Sequence, residues 1–337
     1  MKIVFDKRVL SQRGYSGVKV YVEKLNEFFK SYNQIKSVSP KSKKKIIQHL
    51  WLHFILPFYK SEIIFSPSNI SPLFNFNKKN VLTLHDVAFI KYPDSFSFLF
   101  RNYYKFLMPI ILRKVDKIIT VSEFSKREIA NTYPFCKEKI EVIYLGVEDI
   151  FRPLNIAKKK QILYVGSLNE RKNFLSTLIA FSKLNQPEYN LVIVGNFDSN
   201  FKLNKDTRKS LNEAMKRNNI IFKKNVSNEE LNVIYNESEV LLFPSFYEGF
   251  GFPALEAMKC GTCVITTNDS SMQEICGASA HYVNSKDEDE IYQVLKKVLS
   301  SIDQQKDMIE LGIERAKDFT WAKTFEKHLN VLFDSAK

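Results

Sequence analysis

The sequence predicts an α/β protein built from two doubly wound domains facing a cleft. Three observations predict it. Short apolar runs of strand length alternate with stretches of helical periodicity through both halves of the chain. Several runs end in a glycine turn that leads straight into a helical stretch, an arrangement that open parallel sheets use at their ligand-binding edge. A length of 337 residues with 45% hydrophobic content is enough for two ordinary cores.

Lys2–Phe5 opens the chain as a strand, with Val4 and Phe5 as core formers. Arg13-Gly14-Tyr15-Ser16-Gly17 follows as a loop, either an ordinary turn or a close approach to a ligand. Val18, Tyr21, Val22, Leu25 and Phe28/Phe29 then recur at helical spacing. Lys41, Lys43, Lys44 and Lys45 lead into Ile46, Ile47, Leu50, Trp51, Phe54 and Phe58 near one helix face. That pattern fits a core helix with a solvated start, or a basic amphipathic segment lying on a membrane surface. Ile63-Ile64-Phe65 is a short strand, and Val81–Leu84 is the next. The second ends at His85-Asp86, just beyond the carboxyl end of a parallel strand, where such sheets bind ligands. Phe96–Leu112 is rich in Phe, Tyr and Leu but broken by Arg101 and Lys105, so it reads as a buried or interfacial helix. Val115–Ser122 gives a strand, Glu123–Asn131 a helix and Ile140–Tyr144 a last strand. Leu145-Gly146-Val147-Glu148 and Phe151-Arg152-Pro153 form the hinge, which divides the chain into domains 1–150 and 151–318.

Gln161–Val165 starts the second domain as a strand, after a lysine run at 158–160 expected to be solvated. Gly166 turns the chain, and Arg171-Lys172 stand at the start of the next helix; Arg forks onto phosphate oxygens and Lys neutralises them. Leu191–Val194 with Gly195 repeats the theme, and Ile220–Phe222 is a further strand. Ser227 and Glu230 make a capping box that opens a helix through Leu231 and Tyr235. Val240–Phe243 is a buried strand stopped by Pro244 and Ser245. Gly249 and Gly251 loosen the loop, and Pro253 suits the first turn of a helix through Met258. Gly261 ends that helix, and Thr262–Thr266 is the next strand. This strand–glycine loop–helix unit aims backbone N–H groups at an anion. Glu248 and Glu256, with seven residues between them, add acceptors suited to sugar hydroxyls. Ser270–Glu274 begins a short helix, and Phe319–Leu332 carries apolar residues at helical spacing.

The run Glu248-Gly249-Phe250-Gly251-Phe252-Pro253-Ala254-Leu255-Glu256-Ala257-Met258 resembles the Glu-x7-Glu motif of the retaining glycosyltransferases of family four, which have the two-domain GT-B fold. The likeness is strongest over residues 142–284. It implies a cytoplasmic, metal-independent retaining transferase that uses a nucleotide-diphosphate sugar, with the acceptor on the first domain and the nucleotide on the second. It implies that Gly166, Arg171 and Lys172 bind the diphosphate. Glu248, Gly249, Phe250, Gly251 and Glu256 would hold the donor, and Gly14 and Gly17 would lie under its sugar. His85 would face the hexose, with Asp86 the weaker candidate beside it. It also implies that a terminal helix in 319–337 crosses back to the first domain. Family members often carry glycine where Lys224 stands, near the base, so base identity stays open. Mannose from GDP-mannose, built into a bacterial surface polysaccharide, is the favoured substrate expectation. A GT-B sugar-nucleotide epimerase is the alternative.

Composition narrows the partners. Residues 1–150 hold 25 Lys+Arg against 13 Asp+Glu, whereas 151–337 hold 25 against 24, so the basic excess belongs to the first half. A nucleic acid, an anionic membrane and an anionic substrate all fit such an excess. No basic base-reading helix or aromatic nucleic-acid motif is present, which argues against nucleic acid. A peripheral enzyme on the inner membrane face, acting on a lipid-diphosphate-linked saccharide, is the expectation. Met1–Asp6 reads as a short strand followed by charges, so no secretory signal is expected there, and no run of about 18 uncharged apolar residues suits a membrane span. Cys136, Cys260, Cys263 and Cys276 are sparse, and Cys260-x2-Cys263 lacks the second pair that zinc would need.

Overall fold

The computed structural model describes residues 2–12, 16–76, 78–195, 209, 212–214 and 216–334. The chain forms two compact units: one of Met1–Ile90, Leu99–Gly146 and Trp321–Lys337, the other of Lys91–Phe98 and Val147–Thr320. Val147–Phe151, read from sequence partly with the first domain, goes with the second unit.

In the first unit, β1 (Ile3–Asp6), β2 (Ile35–Val38), β3 (Ile63–Ser66), β4 (Lys79–Thr83), β5 (Lys117–Thr120) and β6 (Ile140–Val142) form one sheet in the order β2-β1-β3-β4-β5-β6. Every pairing is parallel. Helices cover both faces of such a sheet, which is why β1 and β3 are buried at all four positions and each open with three apolar residues in a row. The Gly17–Phe29 helix starts at Ser16, whose side chain accepts from the Lys19 N–H, so Gly17 is helical and not part of the loop. The Trp321–Asp334 helix belongs to this unit: Phe325 stacks on Phe28 with ring centroids 4.1 Å apart. A buried polar chain joins it to the sheet. Tyr21 Oη lies 2.8 Å from Thr83 Oγ1 and 2.6 Å from His328 Nε2, and His328 Nδ1 is 2.7 Å from Thr324 O.

In the second unit, β7 (Lys159–Val165), β8 (Asn190–Val194), β9 (Ile220–Lys223), β10 (Ser238–Phe243), β11 (Cys263–Thr267) and β12 (His281–Val283) pair in the order β12-β11-β10-β7-β8-β9, again all parallel. The strand order reverses between β7 and β10, and a doubly wound sheet opens a crevice at the carboxyl ends of such a pair. The Asn228–Glu237 helix carries the capping box read from Ser227 and Glu230. Its asparagines at i, i+4 and i+8 bind the incoming segment. Asn228 donates to Glu148 at 3.0 Å, Asn232 accepts from the Arg152 N–H at 3.1 Å, and Asn236 accepts from the Leu154 N–H at 2.7 Å. No described helix is long and apolar enough to cross a membrane.

Several expectations need correction. Trp51 turns into the core, so the exposed apolar face of the Lys45–Phe54 helix is Ile46, Ile47, Leu50 and Phe54, with Phe58 on the short turn that follows. Lys158 is not solvated: its ammonium donates to Ser238 O and Gly261 O, and burial pushes its pKa down to about 8. β2, β12 and the helices Glu288–Leu299 and Ile302–Ala316 are additional to the elements read from sequence.

All five histidines are held below their ordinary value, with burial the first cause in each. His328 falls from 6.5 to about 4, and the bond to Thr324 only partly opposes this. The unfolded chain therefore binds more protons between these values. Stability is fully present above pH 6.5 and is lost as pH falls toward 4. For His328 alone the loss by pH 5 is on the order of 2 kcal/mol, at 1.36 kcal/mol per pKa unit. Urea titrations at pH 7.5, 6 and 5 should show the midpoint falling, and His328→Gln should flatten that fall.

Candidate functional site

The site of the second unit grows from the two strands that flank the order reversal. β7 ends at Val165, Gly166 turns the chain, and Arg171 and Lys172 follow on the short turn Glu170–Lys172. Asn169, fully buried, fixes that turn: its Oδ1 accepts from the Lys172 N–H at 3.0 Å and its Nδ2 donates to Ser167 Oγ at 2.9 Å. Asn173 then adopts the left-handed conformation, φ +52°, and its Nδ2 reaches Pro244 O at 3.0 Å and Ser285 O at 2.7 Å. The loop after β10 answers with two further bonds. The Phe246 N–H donates to Arg171 O at 3.0 Å, and Arg171 Nη1 donates to Tyr247 O at 2.6 Å.

These bonds bring Arg171, Lys172 and Glu248 together. Lys172 Nζ donates to Glu248 Oε1, and Arg171 Nη1 stands 3.7 Å from Glu248 Oε2. Their side chains are only 14%, 13% and 8% exposed. Burial pushes the Glu248 carboxyl up, but Lys172 and then Arg171 outweigh it and hold it below the usual value. A unit-charge pair near 4 Å is worth about 4 kcal/mol at an effective dielectric of 20. Desolvation costs several kcal/mol per ion, so the group adds little stability of its own. It leaves one net positive charge in a water-poor place, which suits an anion. Arg171 Nε is buried without a partner and can donate to one.

Glu256 sits apart from this trio on the Phe252–Lys259 helix. Tyr235 Oη donates to its Oε2 at 2.8 Å. Burial, reinforced by Glu148 and opposed by the Tyr235 bond, pushes Glu256 up to about 7. Near neutral pH it is therefore poised between accepting and donating hydrogen bonds. Gly251 caps this helix at φ +110°, and Ser271 Oγ holds the loop by donating to Glu248 O at 2.9 Å and Phe250 O at 2.8 Å. The Phe250 ring is buried and packs edge-on to Phe252 and Phe319, so only its main chain is placed to meet a ligand.

His85 lies in the first unit, two residues beyond β4. Its ring Nε2 is 3.1 Å from Pro67 O, its backbone N–H donates to Asn69 Oδ1 at 2.8 Å, and Tyr21 packs edge-on to the ring. Burial lowers its pKa against the opposing effects of Pro67 and Asp86, so it is neutral with its proton on Nε2. Gly14 lies outside the described residues. A cavity of about 410 Å³ is lined by Lys224, Asn225, Glu230 and neighbours, and by none of Arg171, Lys172, Glu248 or Glu256. Among the described residues, no group of three or more His, Cys, Asp or Glu is placed to hold a metal ion. The sequence assigns no site role to Asn169, Asn173 or Tyr235, because a buried asparagine or tyrosine carries no spacing signal that marks its partner.

Two family models match most of the chain. Glycosyltransferase Family 4 matches residues 15–149, and Glycosyl transferases group 1 matches 147–315, the half that holds Arg171, Lys172, Glu248 and Glu256. The chain belongs to the family-four glycosyltransferases. It is similar to the O-antigen chain mannosyltransferase RfbU of Salmonella typhimurium, 30% identical over 250 residues, 74% of this chain and 68% of that protein. It is also similar to O-antigen chain mannosyltransferase B of Escherichia coli, 27% identical over 288 residues, 81% of this chain and 74% of that one. The fold matches that of HepE from Anabaena, solved in complex with UDP and glucose, with a TM-score of 0.78 at 14% identity over 99% of this chain and all of that one. The two parallel six-stranded sheets are thus those of a GT-B glycosyltransferase.

In this glycosyltransferase the ends of β7 and β8 approach too closely for a side chain. A Cβ on Gly195 would stand 2.0 Å from Gly166 O, a backbone atom that cannot swing aside. Gly195→Ala should lower stability by about 3 kcal/mol and displace the loop that carries Arg171. A melting temperature within a degree of the parent's would contradict that.

Proposed function

We propose that the enzyme transfers a hexose, mannose in the first instance, from a nucleotide-diphosphate sugar to a saccharide acceptor carried on a lipid diphosphate. The anomeric configuration is retained, and the product is a bacterial surface polysaccharide. The observation that carries the reading is the Arg171–Lys172–Glu248 group at the β7/β10 reversal: two cations for a diphosphate beside one carboxylate for sugar hydroxyls. The mannosyltransferase names of the relatives, and the UDP and glucose in the HepE complex, support it.

Chemically, the bond between the anomeric carbon and the diphosphate oxygen breaks while an oxocarbenium-like centre develops. Charge gathers on the departing diphosphate, where Arg171 and Lys172 stabilise it more strongly than they would in water. These cations meet the diphosphate charge, so the proposed chemistry is metal-independent. The acceptor hydroxyl attacks from the same face, and its proton passes to the leaving phosphate. Glu248, held ionised, accepts from hydroxyls of the moving sugar. Glu256 takes the ribose, with the backbone of Gly166, Gly249, Phe250 and Gly251 around the donor. His85 and Gly17 contact the hexose side. An epimerase reading predicts an isomerised sugar nucleotide when the donor is incubated without acceptor.

Replacing Arg171 and Lys172 together by Ala should lower transfer by at least about 10³-fold, since one lost electrostatic donor commonly costs 10² to 10³. Near-native turnover in that variant would remove the assignment. Glu256→Gln should chiefly weaken nucleotide binding, and His85→Ala should lower turnover with little change in it. Because Glu256 titrates near 7 and its ionised form accepts from ribose, nucleoside-diphosphate affinity should rise from pH 6 to 8. Calorimetry on Glu256→Gln should show that rise abolished.

We also propose that the enzyme works as a peripheral protein on an anionic membrane, at the inner, cytoplasmic face. Ile46, Leu50, Phe54 and Phe58 are 72%, 53%, 57% and 72% exposed. Ring contacts extend the patch from Phe54 to Phe74 and from Phe58 to Phe76. Lys41, Lys43, Lys44 and Lys45 are exposed beside it, and Lys114 lies over the Phe74 ring. An apolar patch rimmed by cations fits lipid headgroups, with each lysine adding about 1 kcal/mol on an anionic bilayer. Sedimentation with anionic liposomes should show binding at low salt that high salt reverses. Replacing all four lysines by Gln should weaken it at least tenfold; unchanged sedimentation would return the segment to a solvated helix start.

A further inference from the structure

A hydrogen-bonded relay in the first unit shares no residue with the donor-site group of Arg171, Lys172, Glu248 and Glu256. His53 Nε2 lies 2.9 Å from Tyr103 Oη, which lies 2.9 Å from His49 Nδ1, and the His49 ring is edge-on to Tyr103 at 4.9 Å. The relay joins the Lys45–Phe54 helix to the Phe98–Lys114 helix. Arg8, close enough to act on all three groups, follows β1 and donates to Ser68, which follows β3. β1 and β3 flank the point where the strand order of this sheet reverses, the edge at which such sheets take ligands.

Both rings are neutral at pH 7. Burial, then Arg8 and Lys45, brings His49 down to about 4, and burial, then His49 and Arg8, does the same for His53. The phenol therefore donates to one imidazole and accepts from the other. His53 Nδ1 is buried without a partner. An orphaned buried N–H is the rarer state, and the Arg8 cation favours a lone pair there. The tautomers follow: His53 Nε2–H donates to Tyr103, Tyr103 donates to His49 Nδ1, and His49 carries its proton on Nε2. A chain of donors polarises its last N–H. Lys45 stands one turn before His49 on the same helix, and Ile46, Leu50 and Phe54 lie exposed beside it.

We propose that His49, oriented through Tyr103 and His53, acts with Lys45 to bind a phosphate oxygen of an amphiphile whose hydrocarbon lies along Ile46, Leu50 and Phe54. A polarised N–H and an ammonium match an anionic oxygen, and the apolar border matches a chain, not free phosphate. The inference rests on the lipid-diphosphate acceptor reading and names the contact that would take it. The probe is decyl phosphate, with decyl maltoside and inorganic phosphate as comparisons, followed by calorimetry and by the ¹³C shifts of the His49 and His53 rings. Decyl phosphate should bind and move the His49 signal. Tyr103→Phe and His49→Ala should weaken it at least tenfold, and His49→Gln, which keeps an N–H donor, less than threefold. Decyl maltoside binding should stay level across all three variants, with melting curves confirming that each is folded. The proposal is overturned if decyl phosphate does not bind, if inorganic phosphate binds as tightly, or if every variant shifts both decyl compounds alike. Nucleoside-diphosphate binding is measured in parallel; its failure in the parent protein would sink the donor assignment alone.

Discussion

A buried carboxylate between two cations is the constraint on which the second unit depends. Glu248, Lys172 and Arg171 have little water to solvate them, so each needs the others in place. Removing one partner of such a group leaves an uncompensated charge, which costs about 3–5 kcal/mol. Because desolvation offsets most of the attraction, the group does not hold the fold together. The fold holds the group: Asn169 fixes the turn, Asn173 ties it to the loop after β10, and Ser271 secures that loop from the other side. The reversal of strand order between β7 and β10 is what puts the two loops side by side.

Much of this was legible in the sequence, for a physical reason. Strands buried on both faces read as unbroken apolar runs, so β3, β8 and β10 stand out, and Ser227 with Glu230 announces a helix start by its side-chain chemistry. Gly166, Arg171, Lys172 and Glu248 lie in turns whose residue types are dictated by backbone and charge. β2 escaped because Ile35-Lys36-Ser37-Val38 is short and half polar, an edge strand with only its ends buried. Helical spacing groups Trp51 with Ile47 and Phe54 on one stripe but does not fix which side the core takes, and the core takes Trp51 alone of the three.

Other features depend on contacts that no local pattern records. His49 and Tyr103 are more than fifty positions apart, and only the packing of two helices makes them neighbours. Tyr21 and His328 are separated by 307 positions, yet one hydrogen bond between them anchors the last helix. Lys158 looked like part of a solvated run, but two carbonyls at the edges of β10 and β11 draw its ammonium inward. In each case the residue type was visible and the partner was not.

The three asparagines of the Asn228–Glu237 helix set a length rule for the segment that reaches the second unit. One helical step from Asn232 to Asn236 rises about 6 Å. Two extended residues, Arg152 to Leu154, span about 6.6 Å, so main chain and side-chain amides run in step. A single-residue insertion there would slip that register and leave buried amides facing the wrong partner. The segment is accordingly a ruler and not a tether. In recombining halves of related enzymes, the portable C-terminal cassette begins at Val147, whose N–H already bonds to Phe319 O, rather than at the first strand of its sheet.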